Sequence, residues 1–251
     1  MHQVRLFFIA LQFFTRIPIP RWVGFEPDWL HHAARYFPLV GVVVAAVAAG
    51  VYAAALLLWP APVAVLLSTC AAVYLTGAFH EDGFADMCDG FGGGMTRERV
   101  MEIMKDSRIG TYGALGAGLL VALKCALLMA MPPATAIAAL FLAHPLSRLA
   151  ASALIWKLDY ARDEGKAKPL AQEMSSAEFS IASACTLIPL AGTVAWLGWT
   201  AVAASIVAAF AAAAWLALKF VRRIGGYTGD CLGAVQQVSE VMVYLCVCAS
   251  I

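Results

Sequence analysis

The strongest constraint on this chain is the recurrence of long apolar stretches, at residues 37–59, 63–79, 111–131, 135–156, 180–198, 200–218 and 233–250. Each is about as long as a helix that crosses the hydrocarbon layer, roughly 17–25 residues. Barrel strands would be about half as long and would alternate apolar with polar positions, which these runs do not. Composition agrees: 62% of the 251 residues are hydrophobic and 13% are charged, against roughly 25% charged in a soluble domain. Glycine and alanine abound within the runs, and small residues let helices approach closely in lipid. The expected fold is therefore all-α: a polytopic integral membrane helical bundle of about seven transmembrane helices, in contact with the lipid bilayer and forming a single domain over 1–251.

The charges fall into order against these spans. The turns at Pro60–Pro62, Met131–Ala134 and Leu197–Thr200 carry no charge, whereas segments 1–36, 80–110, 157–179 and 219–232 hold nearly every Lys and Arg. By the positive-inside rule the N-terminus and all polar loops face the cytoplasm and the C-terminus lies outside, so the chemistry belongs on the cytoplasmic face. Residues 1–36 read as an N-terminal interfacial region. Arg5, Gln12 and Arg16 fall on one helical stripe, and Trp22, Trp29 and Tyr36 suit the interfacial belt. Pro18 and Pro20, with no small-residue cleavage site, speak against a cleavable signal. A second interfacial helix is expected near 97–105, with Val100, Ile103 and Met104 on one face. Most of the seven cysteines sit in apolar runs without metal-type spacing, as small hydrophobes. The net charge of +1, with no basic tract, gives no footing for nucleic acid.

Against this background, "FHEDGFADMCDGFGGG" stands out at Phe79–Gly94. Glu81, Asp82, Asp86 and Asp89 put four carboxylates into nine residues. If the second span continues as one helix through Asp89, then Asp86 lies about 40° from Asp82 and Asp89 about 20° to its other side. Like charges on so narrow a face repel, and apolar surroundings worsen the repulsion. Oxygen-only donors at this spacing suit a hard cation, Mg²⁺ by preference, with Asp82, Asp86 and Asp89 as the metal ligands. Mg²⁺ usually completes its shell with substrate phosphates, which suggests a diphosphate substrate. A solvated acidic loop is the plainer alternative. Gly83, Ala85 and Gly90 leave room for a bulky ligand, and Gly92–Gly94 either cradle a phosphate or only turn the chain. Segment 80–110 is thus the expected cytoplasmic active-site segment.

Together with "MKDSRIGTYG", "GGYTGDCLGA", "FFTRIPIP", "YFPLVG" and "QQVSEV", this motif resembles the signatures of the adenosylcobinamide-GDP ribazoletransferase (cobalamin synthase) family, over nearly the whole chain and in the same order. The resemblance implies a late step of cobalamin assembly at a bacterial inner membrane. There α-ribazole or its 5′-phosphate is joined to adenosylcobinamide-GDP, GMP leaves, and Mg²⁺ is required. A homo-oligomer, or association with other cobalamin-assembly enzymes, is left open.

The resemblance also suggests roles. Glu81 is a further ligand or general base, and Asp106 acts at the metal or the substrate. His80, at the same mouth, is either a proton acceptor or a structural residue capping the span. Lys105 and Arg108 are candidates for a phosphate, or else ordinary inside-positive anchors. Arg148 lies within the fourth span, where a charge normally faces the bundle interior; Glu240 or a substrate phosphate is its expected partner. Lys124 is expected to snorkel outward. Arg162 is a candidate for a nucleotide or ribazole phosphate. Gln236 and Glu240 share a polar stripe with Gly229, Gly233 and Tyr244 on the last span, and Asp230 stands at its mouth, as a ligand or as an anion favouring the helix start. Two other readings compete with this one. A CDP-alcohol phosphotransferase fails because Asp86 follows Ala85 where that family has Arg. A divalent-cation transporter would set its carboxylates near the midplane.

Overall fold

The computed structural model describes residues 1–24, 26–161 and 173–251; the Arg162 assignment lies outside the described residues. All regular structure among them is helical. The chain runs through α1 (His2–Phe14), α2 (Pro27–Ala33), α3 (Phe37–Ala55), α4 (Ala61–Thr76), α5 (Phe79–Gly93) and α6 (Arg97–Ile103). It continues through α7 (Thr111–Ala130), α8 (Pro133–Lys157), α9 (Ser176–Leu197), α10 (Trp199–Ile224) and α11 (Gly229–Cys248). Among the described residues six helices are long and apolar enough to cross a membrane, or seven if the bent pair of α4 and α5 is one span.

The boundaries follow local chemistry. Prolines occupy the first turns of α3, α4 and α8, where the missing N–H costs nothing. Ser175 and Glu178 form a reciprocal capping box at α9 (Ser175 Oγ accepts from the Glu178 N–H at 3.2 Å; Glu178 Oε2 accepts from the Ser175 N–H at 2.8 Å). Glu178 also accepts from Arg35 and pairs with His32 at 2.7 Å, which ties α9 to the α2–α3 junction.

The expected continuous helix through Asp89 does not form. Gly77 and Ala78 both adopt left-handed backbone, at φ 65° and 59°. The Ala78 N–H bonds back to Val73 O at 2.9 Å and the Gly77 N–H to Tyr74 O at 3.2 Å, which closes α4 as a Schellman motif. α5 then leaves at 86° to α4. Gly77 adopts this conformation freely, whereas for Ala78 it costs on the order of 1 kcal/mol.

α8 is the central helix. Its most apolar window is 83% buried inside the protein, against 17% for α9 and 28% for α7, which turn most of their surface outward. Two apolar clusters fill the bundle. One joins α1, α2 and the ends of α3, α8, α10 and α11 nearest the charged connections. The other joins the far halves of α3, α7, α8 and α11. α1 belongs to the first: Leu6, Ile9, Ala10, Leu11 and Phe14 are buried, so it is a packed element of the bundle.

Candidate active site

The three aspartates lie on α5, but the structure divides them. Asp82 is exposed and Asp86 half-buried, and the Asp82 carboxylate has no partner among the described residues. Asp89 is 8% exposed and faces α7. Its two oxygens accept the Gly110 N–H at 2.7 Å and the Gly113 N–H at 2.8 Å. The carboxylate therefore sits where the first N–H groups of α7 need an acceptor and where the helix dipole favours an anion. A Cβ on Gly110 or Gly113 would overlap that carboxylate, so both positions must be glycine for the contact to exist.

The neighbouring glycines serve packing. A Cβ on Gly83 would lie 3.0 Å from the Asp230 Cα, so α5 meets the start of α11 backbone to backbone. Gly92 faces Tyr112, and Gly94, which ends α5, faces Val100. Gly94, in extended backbone, turns the chain out of the helix, as one of the two readings of Gly92–Gly94 expects.

The loop between α6 and α7 carries Lys105, Asp106 and Arg108. Asp106 accepts from the Arg108 side chain at Nε (3.0 Å) and Nη2, and from its N–H at 3.1 Å. The guanidinium holds the Asp106 carboxyl down at about 2. Asp106 and Arg108, with Arg99, Glu102, Asp89 and the start of α7, line an open cavity of about 370 Å³. Lys105 is exposed with no side-chain partner among the described residues.

Behind α5 lies a buried polar network between the two apolar clusters. Glu81 turns inward and accepts from Gln237 Nε2 at 2.9 Å. Gln237 Oε1 accepts from Lys124 Nζ at 3.1 Å, and Lys124 pairs with Glu240 at 2.7 Å. Glu240 also accepts from Gln236 at 2.7 Å and from the Tyr244 hydroxyl at 3.0 Å. Two expectations are corrected here. Lys124 points inward, because the carboxylate of Glu240 offers a partner that lipid does not. Arg148 has no direct ion pair with Glu240: it donates to the His144 carbonyl at 3.0 Å, and its Nε is buried without a partner among the described residues. His80 is buried and stacks on Phe14, with ring centroids 5.3 Å apart. His80, Glu81, Lys124, Arg148, Gln236 and Glu240 surround an internal cavity of about 30 Å³, the space of a water or two. Asp230 lies in the first turn of α11, beside Gly83.

The family described as "Cobalamin-5-phosphate synthase" matches residues 6–248 of this sequence. The chain belongs to that family. It is 49% identical to the adenosylcobinamide-GDP ribazoletransferase of Leptothrix cholodnii, over 98% of this chain and 95% of that protein. Identity to the protein of the same name from Shewanella frigidimarina is 45%, over 99% and 96%. For that of Vibrio cholerae it is 41%, over 97% and 93%. No solved structure matches the chain.

As a cobalamin-5-phosphate synthase family member the chain is a transferase of cobalamin biosynthesis, and its site can be tested against the Mg²⁺ expected from the sequence. Among the described residues no three His, Cys, Asp or Glu side chains converge as a ready-made metal set. Mg²⁺ asks less of a protein than that, often one or two carboxylates with waters and substrate phosphates. Asp82 and Asp86, one helical turn apart on the accessible face of α5, fit that demand; Asp89, with both oxygens on α7, does not. Sequence reasoning missed Gln237 as the link between Glu81 and Lys124. Two adjacent glutamines inside an apolar span were the available signal, since lipid gives neither a partner. It also missed the glycine pair that receives Asp89.

Proposed function

We propose that this enzyme joins α-ribazole, or its 5′-phosphate, to adenosylcobinamide-GDP and releases GMP, at the cytoplasmic face of a bacterial inner membrane. The family match over residues 6–248 carries this reading. The relatives' name supplies the transferred group. The crowding of Lys and Arg at one end of the bundle supplies the orientation. In the reaction a ribose hydroxyl of ribazole attacks the phosphorus that stays with cobinamide, and the bond from that phosphorus to the GMP oxygen breaks.

Asp82 and Asp86 would hold Mg²⁺, which when bound neutralises charge on the diphosphate. The chain's own side chains do the positioning. Lys105 is free to meet a phosphoryl oxygen, and Arg108 can exchange its exposed pairing with Asp106 for a phosphate, a bidentate partner of the same geometry. Asp89 fixes the start of α7 and so the wall of the open cavity that Arg108 lines. Glu81, anchored through Gln237 to Lys124, faces inward and supports the helix that presents Asp82.

The test is purified protein with adenosylcobinamide-GDP, α-ribazole and Mg²⁺, following GMP release. Release should stop on chelation and return with Mg²⁺. Release that persists in excess chelator removes the metal role, and no release under any condition removes the reaction.

A further inference from the structure

We infer that the groove between α5 and α10 is a binding site for one anionic phospholipid molecule. Trp215, Lys219 and Arg222 recur at i, i+4 and i+7 and so share one face at the charged end of α10. Opposite them stand Phe84, Cys88 and Phe91 of α5, at the same spacing. The space between the two rows is a cavity of about 520 Å³. Its lining among the described residues includes three cations (Lys219, Arg222 and Arg223) and no acidic side chain.

The three cations are not equally engaged. Arg223 donates to the Gly94 carbonyl and lies over Phe91, 5.5 Å from the ring centre, so it fastens α10 to the end of α5. Lys219 rests on Trp215 at 3.7 Å with its ammonium exposed. Arg222 is exposed and makes no hydrogen bond or ion pair among the described residues. Among the described residues the rim therefore offers positive charge without a counter-ion, above a wall of aromatic and aliphatic side chains. A soluble phosphate would match the rim and leave the apolar wall bare. A neutral lipid would match the wall and leave the rim unpaired. A diacyl lipid with an anionic head matches both. Trp215 and Lys219 near the end of a spanning helix are the residue types that mark the depth of the headgroups, and basic residues there favour anionic lipid over neutral lipid.

The site lies on the far side of the carboxylate helix. On an ideal helix Phe84 is about 160° from Asp82, and Phe91 is about 160° from Asp89. A lipid in the groove thus braces α5 from behind while leaving Asp82 and Asp86 uncovered.

Native mass spectrometry of the full-length protein in detergent tests the assignment, with equimolar phosphatidylglycerol and phosphatidylcholine of identical acyl chains offered together. Phosphatidylglycerol should be retained about ten-fold over phosphatidylcholine. Arg222→Gln should reduce that preference several-fold, and Lys219→Gln with Arg222→Gln should abolish it. Arg222 is exposed and has no partner among the described residues, so its single variant keeps the fold, checked by an unchanged elution profile and melting temperature. Val238→Trp, which fills the groove from α11, should lower retention of both lipids. Equal retention of the two lipids by the parent protein overturns the proposal, as does an undiminished preference in the double variant. Displacement of phosphatidylglycerol by millimolar inorganic phosphate would assign the rim to a soluble phosphate group and overturn it equally.

Discussion

Asp82 and Asp89 lie on one row of one helix, yet the structure gives them opposite surroundings, and alanine at each position separates their effects. Asp89→Ala removes the acceptor of two N–H groups at the start of α7. The Gly113 N–H is buried, and leaving such a donor without a partner costs about 1–3 kcal/mol. Gly110 is exposed, so water replaces the carboxylate there and the loss is about 1 kcal/mol. The sum is about 3 kcal/mol, a fall in melting temperature on the order of 10 °C for a chain of this size. Asp82→Ala removes an exposed carboxylate with no partner among the described residues. Its stability should stay within about 0.5 kcal/mol of the parent, while GMP release drops by at least about a hundred-fold as a metal-binding oxygen is lost. Thermal unfolding in detergent micelles, read beside turnover of each variant under saturating Mg²⁺, gives both numbers. Asp89→Asn keeps one acceptor oxygen and should fall about halfway. An Asp89→Ala protein that melts with the parent but has lost turnover would refute the reasoning, because Asp89 would then be acting on substrate or metal and not on α7.

Lys124→Met leaves Glu240 buried without its cation and should destabilise by about 3–5 kcal/mol; adding Glu240→Gln should restore most of that, and a double variant as unstable as the sum of the singles would show that the two residues do not act as a pair. Asp106, held at about 2 by Arg108, has its carboxyl depressed below the ordinary range, so the pair forms above that value and is lost only as pH falls through it. Asp106→Asn should therefore leave the acid limb of the pH–rate profile where it is, and a limb that moves by more than about half a unit would identify Asp106 as the titrating group.

Much of the architecture was legible because lipid imposes a length. The runs 37–59, 111–131, 135–156, 180–198, 200–218 and 233–250 each became one helix with ends within a few residues, since every backbone polar group in hydrocarbon must be satisfied inside its own segment. The run at 63–79 became α4, but its continuation as one helix through Asp89 did not form. Gly77 signals a break, but Ala78 in left-handed backbone carries no sequence signal, because alanine ordinarily extends a helix. Angular arithmetic on α5 correctly placed Asp82, Asp86 and Asp89 along one side. It could not show that α7 would begin beside Asp89 and take both its oxygens, a tertiary contact written in Gly110 and Gly113 some twenty residues away. Lys124 was misjudged for a similar reason: depth in a span can be counted, but which neighbour faces the side chain cannot.

The bend at Gly77–Ala78 decides whether the acidic helix stands apart from the bundle or packs into it. A straight rod from Ala61 to Gly93 would be about 50 Å long at 1.5 Å per residue, well beyond the roughly 30 Å of hydrocarbon, and its acidic row would stand out in the solvent as a lone spike. Folded over by 86°, the same helix instead runs beside α11 and α7, with Glu81 at Gln237 and Asp89 at the start of α7. The bend thus exchanges a free-standing end for contacts with two spanning helices, and each carboxylate takes its exposure from which of them it faces.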